Sequence, residues 1–215
     1  MTIAKSPPNL PLLENGDRLD RAEFERRYTA TPDVKKAELI EGIVYVASPL
    51  RFTPHAKPHG DLIGWLWTYK TAVGGIELGV EPTVRLDNDN EPQPDVVLFR
   101  VDGNAIIDDD GYIAGAPELI VEIAASTVSY DLHDKKRVYQ RNGVKEYIVW
   151  RTFDQEMDWF VLEDSKYIEM KPDAEGIIKS VEFPGLWLNV LALLGGDMQQ
   201  VLKTLNEGIS QTTLS

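Results

Sequence analysis

PELIVEIAASTVSYDLHDKKRVYQRNGVKEYIVW (117–150) reads as strand, helix, strand. Glu118–Ala124 and Glu146–Arg151 are short apolar runs rich in β-branched residues, the composition of strands in a sheet interior. Between them Asp131–Arg141 has helical spacing, and Asn142-Gly143 is a stop signal. Upstream, Asp95–Val101 is a strand behind Pro94, and Ile76–Val80 with Thr83–Leu86 adds further strand. The acidic segment Asp102–Pro117 is a loop. Gly60–Val73 places Leu62, Ile63, Leu66, Trp67 and Tyr69 at helical spacing and ends at Gly74-Gly75, while Ser48–Pro58, with three prolines, is a loop. Glu38–Ala47 is a strand, or two strands meeting at a tight turn or bulge around Gly42, and Asp17–Tyr28 is a short surface helix. Downstream come a hairpin, Met157–Leu162 with Tyr167–Met170, and two helical pieces, Leu188–Leu194 and Met198–Leu205. The order predicts an α/β (α+β) fold, a mixed sheet flanked by helices. It divides the chain into an N-terminal arm (1–16), a single domain (17–207) and a flexible tail (208–215).

The 215 residues are 43% hydrophobic and 27% charged, enough for one sizeable core. There are no cysteines, which removes disulfides, thiolate zinc sites and cysteine nucleophiles. No apolar run approaches the roughly 20 residues of a membrane-spanning helix, and MTIAKSPPNLPLL lacks the apolar centre of a secretory signal. A cytoplasmic protein is the expectation. The net charge of −13 counts against a broad DNA-binding face. Binding to polyanions is then weak and salt-sensitive unless metal ions or a partner assist.

Two acids stand out. Asp95 opens the strand DVVLF, and Glu122 lies inside LIVEIA. An isolated buried carboxylate is expensive, so such a group is paired or metal-bound. On neighbouring strands two acids can face one side and offer the hard oxygen ligands that suit Mg²⁺. On the following helix Asp131, Lys135 and Tyr139 share nearly one face, from which Lys135 could reach the sheet as a point charge. Lys136 falls about 100° away. Each residue also has a plainer reading: Asp95 as a turn cap, Glu122 as half of an ion pair, Lys135 as an exposed partner of Asp131. Asp131 and Ser126 read as caps or supporting groups. Walker loops, GxGxxG, HExxH and G-x-S-x-G are all missing.

ELIEG (38–42), His59 at a helix start, PQPDVVLF (92–99), PELIVEIAAST (117–127), the D-x3-K-x3-Y helix (131–139) and GVKEYIVW (143–150) occur in that order. In this the chain resembles the Uma-two family of restriction endonucleases, part of the PD-(D/E)XK nuclease superfamily, over roughly residues 17–190. The resemblance implies a restriction-endonuclease-like core with Asp95 and Glu122 as ligands of Mg²⁺, Mn²⁺ being a substitute. Lys135 becomes the catalytic lysine, with Glu38, His59 and Tyr139 as auxiliary residues. The implied activity is Mg²⁺-dependent hydrolysis of phosphodiester bonds in nucleic acid, DNA before RNA, with a homodimer as one assembly. The chain departs from the pattern at Ala124, where a lysine two residues after the acid is usual. That departure keeps open a catalytically inactive nuclease-fold binding module. The acidic surface keeps open a phosphohydrolase of small nucleotides.

Overall fold

A computed structural model describes residues 10–213; residues 1–9 of the arm and 214–215 of the tail lie outside the described residues. The chain starts with helix α1 (Arg21–Ala30), capped by Asp20, whose side chain accepts from the Glu23 N–H. Two strands follow, β1 (Ala37–Ile40) and β2 (Ile43–Val46). They pair antiparallel through a two-residue turn in which Glu41 and Gly42 both have positive φ. Of the two readings of ELIEGIVYVA, the hairpin is the one adopted, because Gly42 makes this turn type inexpensive.

The stretch around the three prolines is not all loop. A π-turn, Phe52–Ala56, runs directly into α2 (Lys57–Val73). Pro54 sits in the first turn, where the missing N–H costs nothing, and Pro58 falls where the wide turn passes into α2, so here proline does not bar the helix. His59 is therefore inside the helix and not ahead of it. Next come β3 (Ile76–Val80), β4 (Val84–Arg85) and β5 (Val96–Arg100). The segment expected to be a loop, 102–117, contains two short strands, β6 (Ile106–Ile107) and β7 (Ile113–Ala114). With β4 they form a small sheet too brief to leave a pattern in the sequence. Strand β8 (Leu119–Ala124) leads into α3 (Val128–Tyr130), a second π-turn (Asp131–Lys135) and α4 (Lys136–Asn142), ended by Gly143 in the left-handed conformation. Strands β9 (Glu146–Arg151), β10 (Glu156–Glu163) and β11 (Lys166–Met170) complete the main sheet.

The C-terminal part corrects a second expectation. Trp187–Asn189 is strand β13, paired with β12 (Ile177–Lys179), and the helix α5 spans only Val190–Leu194. Asn189 caps it by accepting from the Ala192 N–H, which fixes the strand-to-helix switch. Helix α6 (Met198–Thr213) continues well beyond Leu205, so 208–213 is helix where a frayed tail was expected.

The main sheet has the order β11-β10-β9-β8-β5-β3, with β8 and β9 parallel and the other pairs antiparallel. This is the predicted mixed sheet. Its central strands are buried on both faces, and the alternation is strict. Val96, Leu98, Val121, Ile123, Ile148 and Trp150 pack with Leu62, Trp65 and Leu66 of α2 and with α5 and α6. Val97, Phe99, Ile120, Ala124, Tyr147 and Val149 pack with Val138 and Tyr139 of α4. Glu122 falls on this second face, between Ile120 and Ala124. Leu186, Leu188 and Leu193 are buried in the first core, while Leu191 is exposed. Of the two tryptophans of α2, Trp65 is buried and Trp67 exposed.

The contact between α6 and the β12–β13 hairpin depends on Gly208. A Cβ there would lie 2.5 Å from the Gly185 carbonyl oxygen and 2.6 Å from the Trp187 ring. Gly208→Ala should therefore destabilise the protein. Overpacking costs about 1–3 kcal/mol, against the roughly 1 kcal/mol that alanine adds to a helix. A lower urea midpoint at unchanged slope checks this.

Candidate active site

The register of the sheet brings the two acids together. Val96 opposes Val121 in the antiparallel β5/β8 pair, and one further step sets Asp95 opposite Glu122. Directly opposed residues point to the same face with Cβ atoms about 4.5–5.5 Å apart. Asp95 Oδ2 accepts from the backbone N–H of Ile123 at 2.7 Å, which fixes its carboxylate beside β8.

The β8–β9 crossover supplies the cation. In the π-turn Asp131–Lys135 the Lys136 N–H reaches the Asp131 carbonyl, five residues back. Such widened turns occur mostly as single insertions in helices. This one aims Lys135 inward. Its Nζ lies 2.9 Å from Glu122 Oε1, 2.8 Å from Glu38 Oε1 and 3.9 Å from Asp131 Oδ1. Tyr139, one turn on, donates from Oη to Glu122 Oε1 at 2.8 Å. Glu38 comes from β1, and its Oε1 also accepts from the Gln93 N–H at 2.8 Å. Asp131 is held by Thr127 Oγ1 at 2.5 Å. Lys136, set aside on helical geometry, lies instead over the Phe160 ring.

The three principal residues are each only 4% exposed, so they interact outside bulk water. Burial pushes the Glu122 carboxyl well above the usual range. Lys135 opposes that rise, and Asp131, Asp95 and Glu38 add to it. Burial alone would lower the Lys135 ammonium, but Glu122, Glu38 and Asp131 hold it well above its usual value. These acids favour the charged form of Lys135, which donates to Glu122. Burial lifts Asp131 to about 6, although Lys135 and Thr127 pull it down. Asp95 moves the other way. The hydrogen bond and charge of His55, the Lys36 ammonium and the Ile123 N–H outweigh burial and keep it ionised below the usual range.

Two partners of Asp95 had no signal in the sequence. His55 Nε2 is 3.3 Å and Lys36 Nζ 3.9 Å from Asp95 Oδ1. His55 is presented by the first π-turn, inside the proline-rich stretch read as loop. Lys36 precedes β1 and also pairs with Glu81 at 3.2 Å. His59 lies at the site but against the backbone, its Nε2 2.9 Å from the Asp95 carbonyl oxygen. The structure therefore brings Asp95, Glu122, Lys135, Glu38, His59 and Tyr139 into one cluster, while Ser126 stays exposed outside it.

A divalent ion can be tested against this donor set. Among the described residues no group of three or more His, Cys, Asp or Glu side chains has metal-binding geometry. Mg²⁺ needs only one or two carboxylates, since it keeps several waters. Lys135 and Tyr139 both donate to Oε1 of Glu122, leaving Oε2 to other ligands. The Tyr130 hydroxyl, whose ring lies near Lys135, is buried without a partner, as is His55 Nδ1. The oxygen donors fit a hard ion held by two protein ligands.

Comparison with known proteins agrees with this architecture. No curated protein matches the chain. A solved structure described as "a putative nuclease belonging to DUF820 from Anabaena variabilis ATCC 29413" superposes with a TM-score of 0.56 at 15% identity, covering 74% of this chain and 89% of the other. That likeness concerns the fold. No helix among the described residues is long and apolar enough to cross a membrane. The family Uma2, described as "Putative restriction endonuclease", matches residues 21–191, a span that includes all the residues of the cluster. The chain belongs to the Uma2 family, and so to a family of nucleases, hydrolases of phosphodiester bonds.

Proposed function

We propose that this protein is a divalent-metal-dependent endonuclease that hydrolyses phosphodiester bonds in nucleic acid, DNA above all. The observation that carries the reading is a charge imbalance in a buried place. Four carboxylates, Glu38, Asp95, Glu122 and Asp131, face two ammonium groups, Lys36 and Lys135. Fully ionised, the cluster has two negative charges too many with His55 neutral and one with His55 protonated. Apolar surroundings do not tolerate that, and a divalent cation would neutralise it.

Asp95 and Glu122 would hold Mg²⁺, or Mn²⁺ in its place. Such an ion polarises a phosphoryl oxygen and lowers the pKa of bound water. Asp95 stays ionised through its His55, Lys36 and Ile123 contacts, and His59 fixes its backbone. Tyr139 sets the rotamer of Glu122. Lys135, held charged by Glu38, donates to the attacking water or to the phosphate and stabilises the charge that develops there. The water oxygen bonds to phosphorus and the P–O3′ bond breaks, as the resemblance to the superfamily implies. The departing O3′ takes up a proton, leaving a 5′-phosphate and a 3′-hydroxyl. A catalytically inactive binding module is the second reading. It is favoured by the Lys135 ammonium already sitting on Glu122 Oε1.

Metal titration followed by thermal unfolding and plasmid cleavage tests both. At about 100 times its dissociation constant Mg²⁺ should stabilise the wild type by roughly 2.7 kcal/mol, about 5–10 °C in Tm for a chain of this size. Asp95→Asn should lose both that shift and cleavage. A wild type with neither Mg²⁺-dependent stabilisation nor cleavage rejects the enzyme in favour of the module.

A further inference from the structure

The first π-turn has two working sides. One carries His55 to Asp95. The other, with Arg51, Thr53, Pro54 and Lys57, walls a cleft of about 500 Å³. The opposite wall is Trp150, Thr152, Phe153 and Gln155, where β9 turns into β10, and the end of α5 closes it. The cleft lies on the sheet face that packs against α2 and α5, opposite to Glu122, and meets the candidate active site at the strand ends and through the π-turn that carries His55. The Thr152 N–H donates to the Ala124 carbonyl at 3.1 Å, two residues beyond Glu122 on the neighbouring strand.

Its chemistry is unlike the rest of the surface. No carboxylate lines it, in a chain of net charge −13. Lys57 pairs with Asp61, outside the lining, at 2.9 Å. The Arg51 guanidinium is exposed and makes no ion pair or hydrogen bond among the described residues. Phe153 is 62% exposed, a large planar apolar group left in solvent on the opposite wall from that cation. Thr152 Oγ1 is buried in the wall without a partner. An aromatic face, a free guanidinium and one hydroxyl that can donate or accept match a nucleobase and its phosphate. The volume lies within the roughly 300–1,000 Å³ of small-ligand sites.

Resting on the nuclease reading above, we propose that this cleft is a subsite for one unpaired nucleotide next to the scissile phosphate, with its base stacked on Phe153 and its phosphate held by Arg51. A base can stack on a side chain only when it has left the duplex stack. The substrate class is therefore single-stranded or locally melted nucleic acid. This also suits the acidic chain, since stacking needs less of the broad basic face on which duplex binding depends.

The test is fluorescence anisotropy of a labelled single-stranded oligonucleotide and of the blunt duplex of the same sequence, without divalent metal and at one low salt concentration. Wild type should bind the single strand more tightly than the duplex. Phe153→Ala and Arg51→Ala should each weaken single-strand binding about tenfold, in the range of one lost stacking or phosphate contact. Phe153→Trp should restore it. Phe52→Ala, which removes an exposed aromatic of the same π-turn outside the cleft lining, should bind as wild type does. Unchanged affinity in Phe153→Ala and Arg51→Ala, equal binding of duplex, or no single-strand binding by wild type overturns the proposal. Plasmid cleavage in Mg²⁺ is scored separately. Its loss in the wild type would reject the nuclease reading, while the binding series would still decide whether the cleft takes an unpaired nucleotide.

Discussion

Lys135→Met is expected to reduce Mg²⁺-dependent cleavage by about 10²–10³-fold, the usual cost of removing one preorganised electrostatic group, and to destabilise the fold by about 3–5 kcal/mol. Both losses have one origin. The ammonium sits 2.8 Å from Glu38 and 2.9 Å from Glu122 in a place closed to bulk water. Its removal leaves carboxylates buried without their cation. The stability loss should depend on pH in a definite direction. Burial already lifts the Glu122 carboxyl, and without Lys135 to oppose it the carboxyl rises further. An unfolded glutamate gives up its proton near pH 4.3, whereas the folded variant keeps it to higher pH. The native state then binds more protons than the unfolded state, so stability falls as pH rises. The deficit is smallest in mild acid and grows toward neutrality. Urea denaturation at several pH values checks this. A deficit that shrinks toward neutrality would contradict the assignment of Lys135 as the cation of the acid cluster.

The second large effect lies away from the chemistry. Glu146, at the start of β9, is fully buried. It accepts from Trp159 Nε1 at 3.1 Å, from Ser180 Oγ at 2.9 Å and from the backbone N–H groups of Val181 and Glu182 at 2.6 and 3.0 Å. Glu146→Ala strands four donors. Each buried unsatisfied group costs about 1–3 kcal/mol, less where relaxation admits water, so the whole should be about 3–5 kcal/mol. Glu146→Gln should recover more than half of that, because the amide oxygen still accepts from Val181 and Glu182 while Trp159 faces an NH₂ group. Neither change touches the acid cluster, since Glu146 pairs with Leu119 and Glu122 pairs with Val149 further along the same ladder. Cleavage per folded molecule should therefore be unaffected. An activity loss parallel to the stability loss would mean that the loop held by Glu146 serves the site.

The sheet was legible in the sequence because its central strands are buried on both faces. LIVEIA and EYIVWR are unbroken apolar runs, and in such a run one acid is conspicuous. Asp95, Glu122, Lys135 and the placing of Tyr139 beside it followed from that contrast and from helical spacing, and the family resemblance added Glu38 and His59. The two-residue strands at 106–107 and 113–114 were not legible, since pairing of that length follows from tertiary placement and leaves no periodicity. Trp187–Asn189 looked helical because LNVLALL is apolar throughout, and only its partner β12 and the Asn189 cap separate strand from helix there. His55 and Lys36 escaped for another reason. Each lies in a segment whose local composition, proline-rich or charged, indicates exposure, and it is the three-dimensional path of the chain that turns both toward Asp95. Pro54 and Pro58 were the available clue, as residues tolerated at the beginning of a helix.

His55 and Lys135 share an origin that bears on how this lineage can change. Each projects from a helical turn one residue wider than standard, and each turn runs straight into an ordinary α-helix. Deleting one codon from either segment would restore a regular ladder and swing the projecting side chain off its line. At the second turn stability would fall too, since Glu38 and Glu122 would lose their buried cation. A descendant shortened by a single residue at the first turn could keep the scaffold, with a straighter helix, and lose the contact of His55 with Asp95.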